Sequence, residues 1–322
     1  MVKFSVVIPT YNSEETIERC LQSVLEQTYP VYELLVVDDA SSDNTVKVAS
    51  EYLEKSSISY RIIEKETNSG PGDSRNIGIS LVTGDYVAFL DSDDWYTLDF
   101  LENTMTVLTE HDSDVVLSEH YKFYHDKRVI KVALPVELSH SSSKKEIIAF
   151  ASQALWSMVI RAELLKKLSI PHLYNCEDAA LVPIILLQAQ KINLLRRPTY
   201  YYYQRQNSLS NAVSIRTVHD MLDAFSFIEE NCDSEFREEV EHLGIKIVLY
   251  GAVLNAIKSG ENPASIFQFV DRFVEKYPNW YHNQYKHSLG ISKKVFLRAV
   301  HHRSYGLLRC LTYSHSLLTR GS

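Results

Sequence analysis

Cysteine is scarce and scattered. The four residues Cys20, Cys176, Cys232 and Cys310 form no Cys-x-x-Cys pair, which argues against a zinc site or a disulfide framework and suits a reducing cytoplasm. None of the twelve histidines falls in His-Glu-x-x-His or another ligand spacing. No uninterrupted apolar run is long enough to span a bilayer. The opening run that ends at Ile8 is too short for a signal peptide and is stopped by Pro9. The glycine loop at Gly70-Pro71-Gly72 is not followed by Gly-Lys-Ser or Gly-Lys-Thr, so it is not a P-loop. Acidic residues are missing altogether from residues 276–322, which hold eight lysines and arginines. With a net charge of −8 overall, the preceding residues therefore carry −16.

What is present is the composition of an ordinary globular protein, 322 residues with 45% hydrophobic and 23% charged side chains, enough for one large or two modest domains. Short β-branched runs alternate with helical spacing. Phe4 to Ile8 reads as a strand, Glu14 to Leu25 as a helix with Ser13 as N-cap, and Glu33 to Val37 as a second strand. A helix to about Lys55, a strand from Ser59 to Glu64, a helix from Asp73 to Leu81 and a strand from Asp85 to Leu90 follow. This order predicts a mostly parallel α/β sheet with helices on both faces, where ligands bind beyond the carboxyl ends of the strands. The loops after Ile8, Val37 and Leu90 all fall at that edge.

The last of these loops is the chemical centre. Asp91-Ser92-Asp93-Asp94 puts three carboxylates within four residues at a strand end. Like charges so close are costly unless a divalent cation or a set of donors compensates them. A solvated acidic turn, or Asp93 and Asp94 capping the helix that starts near Leu98, is the alternative reading.

Together, Val-Val-Ile-Pro-Thr-Tyr-Asn, Val-Val-Asp-Asp-Ala-Ser-Ser-Asp, Gly-Pro-Gly-Asp-Ser-Arg-Asn-Ile-Gly and Phe-Leu-Asp-Ser-Asp-Asp resemble the successive signatures of the family 2 inverting glycosyltransferases of bacterial capsule, exopolysaccharide and teichoic acid synthesis. The resemblance implies the GT-A fold, a Rossmann-like mixed sheet. It places Pro9, Thr10 and Tyr11 at the nucleotide base, Asp39 at its imide edge, and Asn68 and Arg75 at the base or phosphates. Gly70, Ser92 and Asp91 would complete the donor side, Asp93 would bind Mn²⁺ or Mg²⁺, and Glu14 matches the family's first-helix glutamate. The chemistry agrees: uracil needs a stacking ring and an acceptor for its N3 proton, and a diphosphate leaving group needs its charge neutralised.

Further along, residues 114–135 alternate apolar and polar side chains and predict antiparallel additions to the sheet. Ser139 to Ser143 reads as a polar linker before a helix from Lys144 to Phe150. Trp156 falls where relatives carry a tryptophan near the acceptor; stacking on a sugar and burial as core are both open. Asn175-Cys176-Glu177-Asp178 resembles the family's Glu-Asp pair, which makes Asp178 the catalytic base and gives Glu177 a place beside the acceptor or the base. Asp178 as a mere helix cap is the bland alternative. Tyr200 to Ser210 resembles the tyrosine-rich strand and the loop that closes over the diphosphate, with Arg205 as phosphate fork and Ser208 and Ser210 as lesser donors. Gln204 stands where many relatives have arginine.

Residues 1–210 are thus read as the catalytic domain and 211–322 as an α-helical domain, with helices at His219–Glu230, Glu235–Ser259, Pro263–Lys276 and Lys293–Leu318, and with Gly290 and Gly306 as breaks. The basic tail interleaves cations with apolar residues, which suits either an anionic membrane surface or packing on the acidic body. Nucleic acid is not expected, because the tail has no recognised motif and the site is acidic. The expected activity is metal-dependent transfer of a sugar from a UDP-sugar to a glycan, lipid-linked or protein-linked acceptor, in the cytoplasm or at the inner face of the membrane. A nucleotidyltransferase, or a binding module on the same scaffold, is the alternative.

Overall fold

The computed structural model describes residues 1–204 and 213–320, with side chains through Ser314. The chain divides into two compact units, Met1–Gln206 and Asn207–Ser322. In the first unit the described strands are β1 (Phe4–Thr10), β2 (Glu33–Asp38), β3 (Tyr60–Glu64), β4 (Tyr86–Phe89), β5 (Trp95–Tyr96), β6 (Val115–Tyr124), β7 (Val129–Val132), β8 (Met158–Arg161) and β9 (Ile192–Gln204). They form one sheet in the order β3-β2-β1-β4-β8-β6-β9-β5, with β7 hydrogen-bonded to β6. The first four strands pair in parallel and carry the apolar runs read from the sequence. Thr10 lies opposite Asp38, and Asp38 opposite Glu64, so the carboxyl ends of β1, β2 and β3 share one edge.

The second half of the sheet is mixed. β8 runs antiparallel to β4 and β6, and β6 and β7 form the expected antiparallel hairpin. However, β6 also pairs in parallel with β9, over ten register positions interrupted by a bulge at Ser118–His120, which alternation along β6 alone could not reveal.

Helices α1 (Ile17–Leu25), α2 (Thr45–Leu53), α3 (Pro71–Leu81), α4 (Phe100–His111), α5 (Lys144–Phe150), α6 (Ala162–Leu165) and α7 (Glu177–Gln188) cover the sheet. A core of Phe4, Val6, Ile8, Leu21, Leu34, Val36, Leu53, Leu90 and Leu101 lies between them, each fully or almost fully buried. Full burial of such a side chain contributes about 1.5–3 kcal/mol. α3 lies so close on β1 that a Cβ at Gly78 would come 2.4 Å from Val7 Cγ1.

One expected helix cap is corrected and one alternative is not found. Ser13 does not cap α1, because Thr16 is the N-cap and the Ser13 hydroxyl is engaged elsewhere. Nor do Asp93 and Asp94 cap α4, whose N-cap is Asp99. The polar stretch before α5 ends in a capping box between Ser143 and Glu146.

The second unit is helical among its described residues: α8 (Ile215–Glu230), α9 (Arg237–Gly244), a π-helical stretch Ile245–Ala252, α10 (Val253–Lys258), α11 (Pro263–Lys276), α12 (Ile291–His301) and α13 (Tyr305–Arg320). Gly306 is not a break. The chain turns at Arg303, whose φ is 51°, and Gly306 lies within α13. The helical run Ser234–Lys258 contains a stretch long and apolar enough to cross a membrane by length and composition. Its most apolar stretch is 67% buried in the fold, as befits a core helix.

Candidate active site

At the carboxyl edge the loops after β1 and β2 interlock. The Asp39 amide donates to the Thr10 carbonyl at 2.8 Å, the Asn12 amide to Ser41 Oγ at 2.9 Å, and the Ser42 amide to Asn12 Oδ1 at 2.8 Å. Both loops hold a non-glycine residue in the left-handed region, Asn12 at φ 46° and Ala40 at φ 60°. Such conformations persist where surrounding bonds over-determine them. Glu14 braces the pair, since its Oε2 accepts from both the Asn44 amide and Asn44 Nδ2 at 2.9 Å. Pro9 and Thr10 are the last residues of β1, and Thr10 Oγ1 is buried with no hydrogen-bond partner among the described residues. Tyr11 stands out at the rim, 49% exposed.

Asp39 is buried and holds the glycine loop. Its carboxylate accepts from Lys65 Nζ, from the Ser69 amide at 2.9 Å and from the Gly70 amide at 2.7 Å. Gly70, at φ 93°, adopts a conformation strained for any other residue and starts α3. Asn68 is exposed beside it.

The three clustered carboxylates meet three different fates. Asp91 Oδ1 accepts from Arg75 at 2.7 Å. Asp94 is wholly buried and accepts from the Tyr200 hydroxyl at 2.6 Å and the Tyr203 amide at 2.7 Å. Burial, with Asp93 and Asp91 nearby, pushes its carboxyl well above the usual range. Asp93 lies partly exposed between them. Arg19 fixes this turn by donating to the Asp93 carbonyl at 2.7 Å while its guanidinium lies 4.0 Å over the Trp95 ring. Ser92 Oγ is 2.7 Å from Ser13 Oγ and so ties the turn to the β1 loop. The protein thus supplies donors for Asp91 and Asp94 itself. Tyr200→Phe should lower stability by about 1–3 kcal/mol, because it removes a donor from a buried carboxyl; a denaturant melt reads this directly.

Arg75 is the hub. Projecting from α3 with a side chain 3% exposed, it donates to Glu177 Oε1 and Asp91 Oδ1, both at 2.7 Å, and lies 3.4 Å from Asp178 Oδ1. Sequence reading put this guanidinium on base or phosphate; in the structure three carboxylates surround it. Glu177 and Asp178 open α7 after Cys176, which takes the left-handed conformation at φ 68°. Asp178 Oδ2 accepts from the Leu155 amide at 3.0 Å, whereas its Oδ1 is buried and accepts no hydrogen bond among the described residues. Burial raises the Asp178 pKa to about 7; the Glu177 and Asp91 charges push the same way and Arg75 opposes them.

A chain of hydrogen bonds therefore joins the β1, β2 and β4 loops to the N-termini of α3 and α7. Trp156 is partly exposed, and its ring stacks on Tyr200 at 4.4 Å and Tyr202 at 5.3 Å and meets His120 edge-on at 4.8 Å. Arg205, Ser208 and Ser210 lie outside the described residues. Sequence reasoning missed Lys65, the Leu155 amide and the Tyr200 hydroxyl. The alternation of Tyr200 with Tyr201 was a signal that one of them points inward, but its partner Asp94 is remote in sequence.

The glycosyl transferase family 2 model matches residues 5–182. Among curated proteins, the chain is 30% identical over 241 residues to the glycosyltransferase GlyA of Streptococcus pneumoniae, covering 70% of this chain and 34% of that protein. It is 32% identical over 212 residues to the poly(ribitol-phosphate) beta-N-acetylglucosaminyltransferase TarS of Staphylococcus aureus, covering 63% and 35%. The chain thus spans about a third of the length of either relative. The solved structure of S. aureus TarS 1–349 in complex with UDP-GlcNAc superposes with a TM-score of 0.65 at 25% identity, covering 98% of this chain and 92% of that one. With more than half its length matched and the mixed sheet shared, the chain belongs to glycosyl transferase family 2 and has its GT-A fold.

Proposed function

We propose that this protein transfers a sugar from a UDP-sugar to a hydroxyl of a cell-surface glycan acceptor, with inversion at the anomeric carbon. The observation that carries the reading is the partly exposed Asp178 carboxylate, whose Oδ1 is ion-paired with Arg75 at 3.4 Å but accepts no hydrogen bond among the described residues. A carboxylate oxygen lacking a hydrogen bond is a ready acceptor for the hydroxyl proton, and a pKa near 7 matches the task of a general base. Asp178 takes the proton as the acceptor oxygen attacks from the face opposite the nucleotide. Glu177, held by Arg75, orients the acceptor or the base. On the donor side, Tyr11 stacks on uracil and Asp39 accepts its N3 proton through lone pairs left over from the loop bonds. The S. aureus relative TarS is a poly(ribitol-phosphate) beta-N-acetylglucosaminyltransferase, so a polyol-phosphate or related surface polymer is the acceptor class we favour.

No group of three or more His, Cys, Asp or Glu side chains that could hold a metal ion occurs among the described residues. Asp91 and Asp94 are committed to Arg75, Tyr200 and Tyr203. The donor set therefore fits an ion that shares its coordination between Asp93 and the diphosphate, as Mg²⁺ and Mn²⁺ do in other nucleotide sites, and not a resident cage. Bound there, the cation would neutralise charge on the departing UDP. Calorimetry is expected to find weak Mn²⁺ binding to the chain alone, at least tenfold tighter binding with UDP present, and no such gain in Asp93→Ala. Tight binding without UDP contradicts this assignment.

Release of UDP from a panel of UDP-sugars in Mn²⁺ or Mg²⁺ tests the activity. Turnover with one donor and none in Asp178→Asn supports the reading. No turnover with any donor, or turnover unchanged by that substitution, overturns it.

A further inference from the structure

We infer that α12 and α13 form a docking surface for an anionic lipid bilayer. The proposal does not depend on the sugar-transfer reading. It starts from the charge imbalance, since residues 276–322 contain no acid. Within the second unit the two helices bury one side each: Phe296, Leu297, Ala299 and Val300 on α12, Leu308 and Thr312 on α13. Cations that served packing on an acidic body would sit on those sides or pair with carboxylates. Arg303 does so, through Asp271. Lys294, Arg298 and Arg309 do not: all three are exposed, none has a carboxylate partner among the described residues, and Lys294 donates to the His287 carbonyl at 2.7 Å.

Apolar residues share the outward sides with these cations. Ile291 is 81% exposed and Val295 42%, one helical turn apart and flanked by Lys294 and Arg298. On α13, Tyr313 is 68% exposed one turn beyond Arg309, and Leu307 is 46% exposed. An exposed large apolar side chain standing alone needs no explanation, but a set of them interleaved with cations that have no carboxylate partner among the described residues does. A bilayer surface matches both chemistries at once, with phosphate headgroups for the cations and the acyl boundary for Ile291, Val295, Leu307 and Tyr313. A soluble polyanion would use the cations and leave the apolar residues in water. Lipid is therefore the occupant we assign.

The test is co-sedimentation of the full chain with vesicles of phosphatidylcholine alone and of phosphatidylcholine mixed with phosphatidylglycerol. Binding is expected only to the anionic vesicles and should weaken as salt is raised. Arg298→Glu with Arg309→Glu should weaken it more than tenfold, given about fivefold per basic residue near the surface. Ile291→Ser with Tyr313→Ser should weaken it as well, while Lys47→Glu, on an exposed helix face of the first unit, should leave it unchanged. All four side chains of the double variants are exposed, so unaltered melting curves confirm that folding is intact. Absence of binding to anionic vesicles, equal binding to neutral ones, or indifference to the arginine reversals overturns the proposal. So does salt-sensitive binding that Ile291→Ser with Tyr313→Ser leaves intact and that dextran sulfate abolishes, because that pattern marks a polyanion site.

Discussion

Asp178→Asn should reduce sugar transfer by about 10²–10⁴-fold while leaving UDP binding within a factor of about three, because the side chain accepts a proton and holds no nucleotide. The wild-type rate should climb about tenfold per pH unit below neutrality and level off above pH about 7, where burial places the ionisation of Asp178. The same shift bears on stability. A carboxyl whose pKa is higher folded than unfolded binds a proton more tightly in the native state. Its contribution is complete below the unfolded value and is lost as pH rises towards 7. Asn cannot titrate. The variant should therefore melt at a higher temperature than the wild type at pH 8 and show little difference at pH 4. Full activity in Asp178→Asn, or a flat rate profile between pH 5 and 8, contradicts the assignment.

Arg75→Met is expected to be the most damaging substitution in the first unit. Met keeps the volume but leaves Asp91, Glu177 and Asp178 facing one another around a site that had held a cation. Removal of one partner from a buried charge cluster costs about 3–5 kcal/mol, which for a unit of this size lowers Tm by about 10 °C. A purely structural role would stop there. A positioning role also moves the pH profile: the guanidinium lowers the Asp178 pKa, so its loss should shift the alkaline plateau upwards and cut activity at pH 7 more than at pH 9. Arg75→Lys, which keeps the charge but not the fork, should restore part of the stability and part of the profile. A profile identical to wild type in Arg75→Lys and Arg75→Met would leave Arg75 as scaffold alone.

Much of this was legible in the letters, for reasons the structure makes concrete. Parallel strands buried on both faces must be continuous apolar runs, so Phe4 to Ile8 and Glu33 to Val37 announced themselves. Their carboxyl ends had to carry the ligand loops. The partners of individual side chains were another matter. Arg75 lies on the helix after the glycine loop, where the family resemblance puts it at the base or phosphates, and nothing local shows that Glu177, 102 residues away, will take its guanidinium. Asp94 looks like its two neighbours in sequence, yet Tyr200, 106 residues on, draws it into the core. Trp156 left stacking and burial open; two tyrosines of β9 and His120 pack around its ring, and it stays partly exposed. The local pattern defines the strands and the rim; which carboxylate is base, rim or core depends on contacts over a hundred residues of chain.

The most direct measurement follows the anomeric proton by NMR while the protein consumes a UDP-sugar whose sugar is α-linked, with water or a glycan hydroxyl as acceptor. One base, Asp178, and one displacement require that the first-formed product be the β anomer, with the Asp178→Asn variant forming it far more slowly. An α product formed at the outset would mean two displacements or a front-face attack, and would contradict the account of this site.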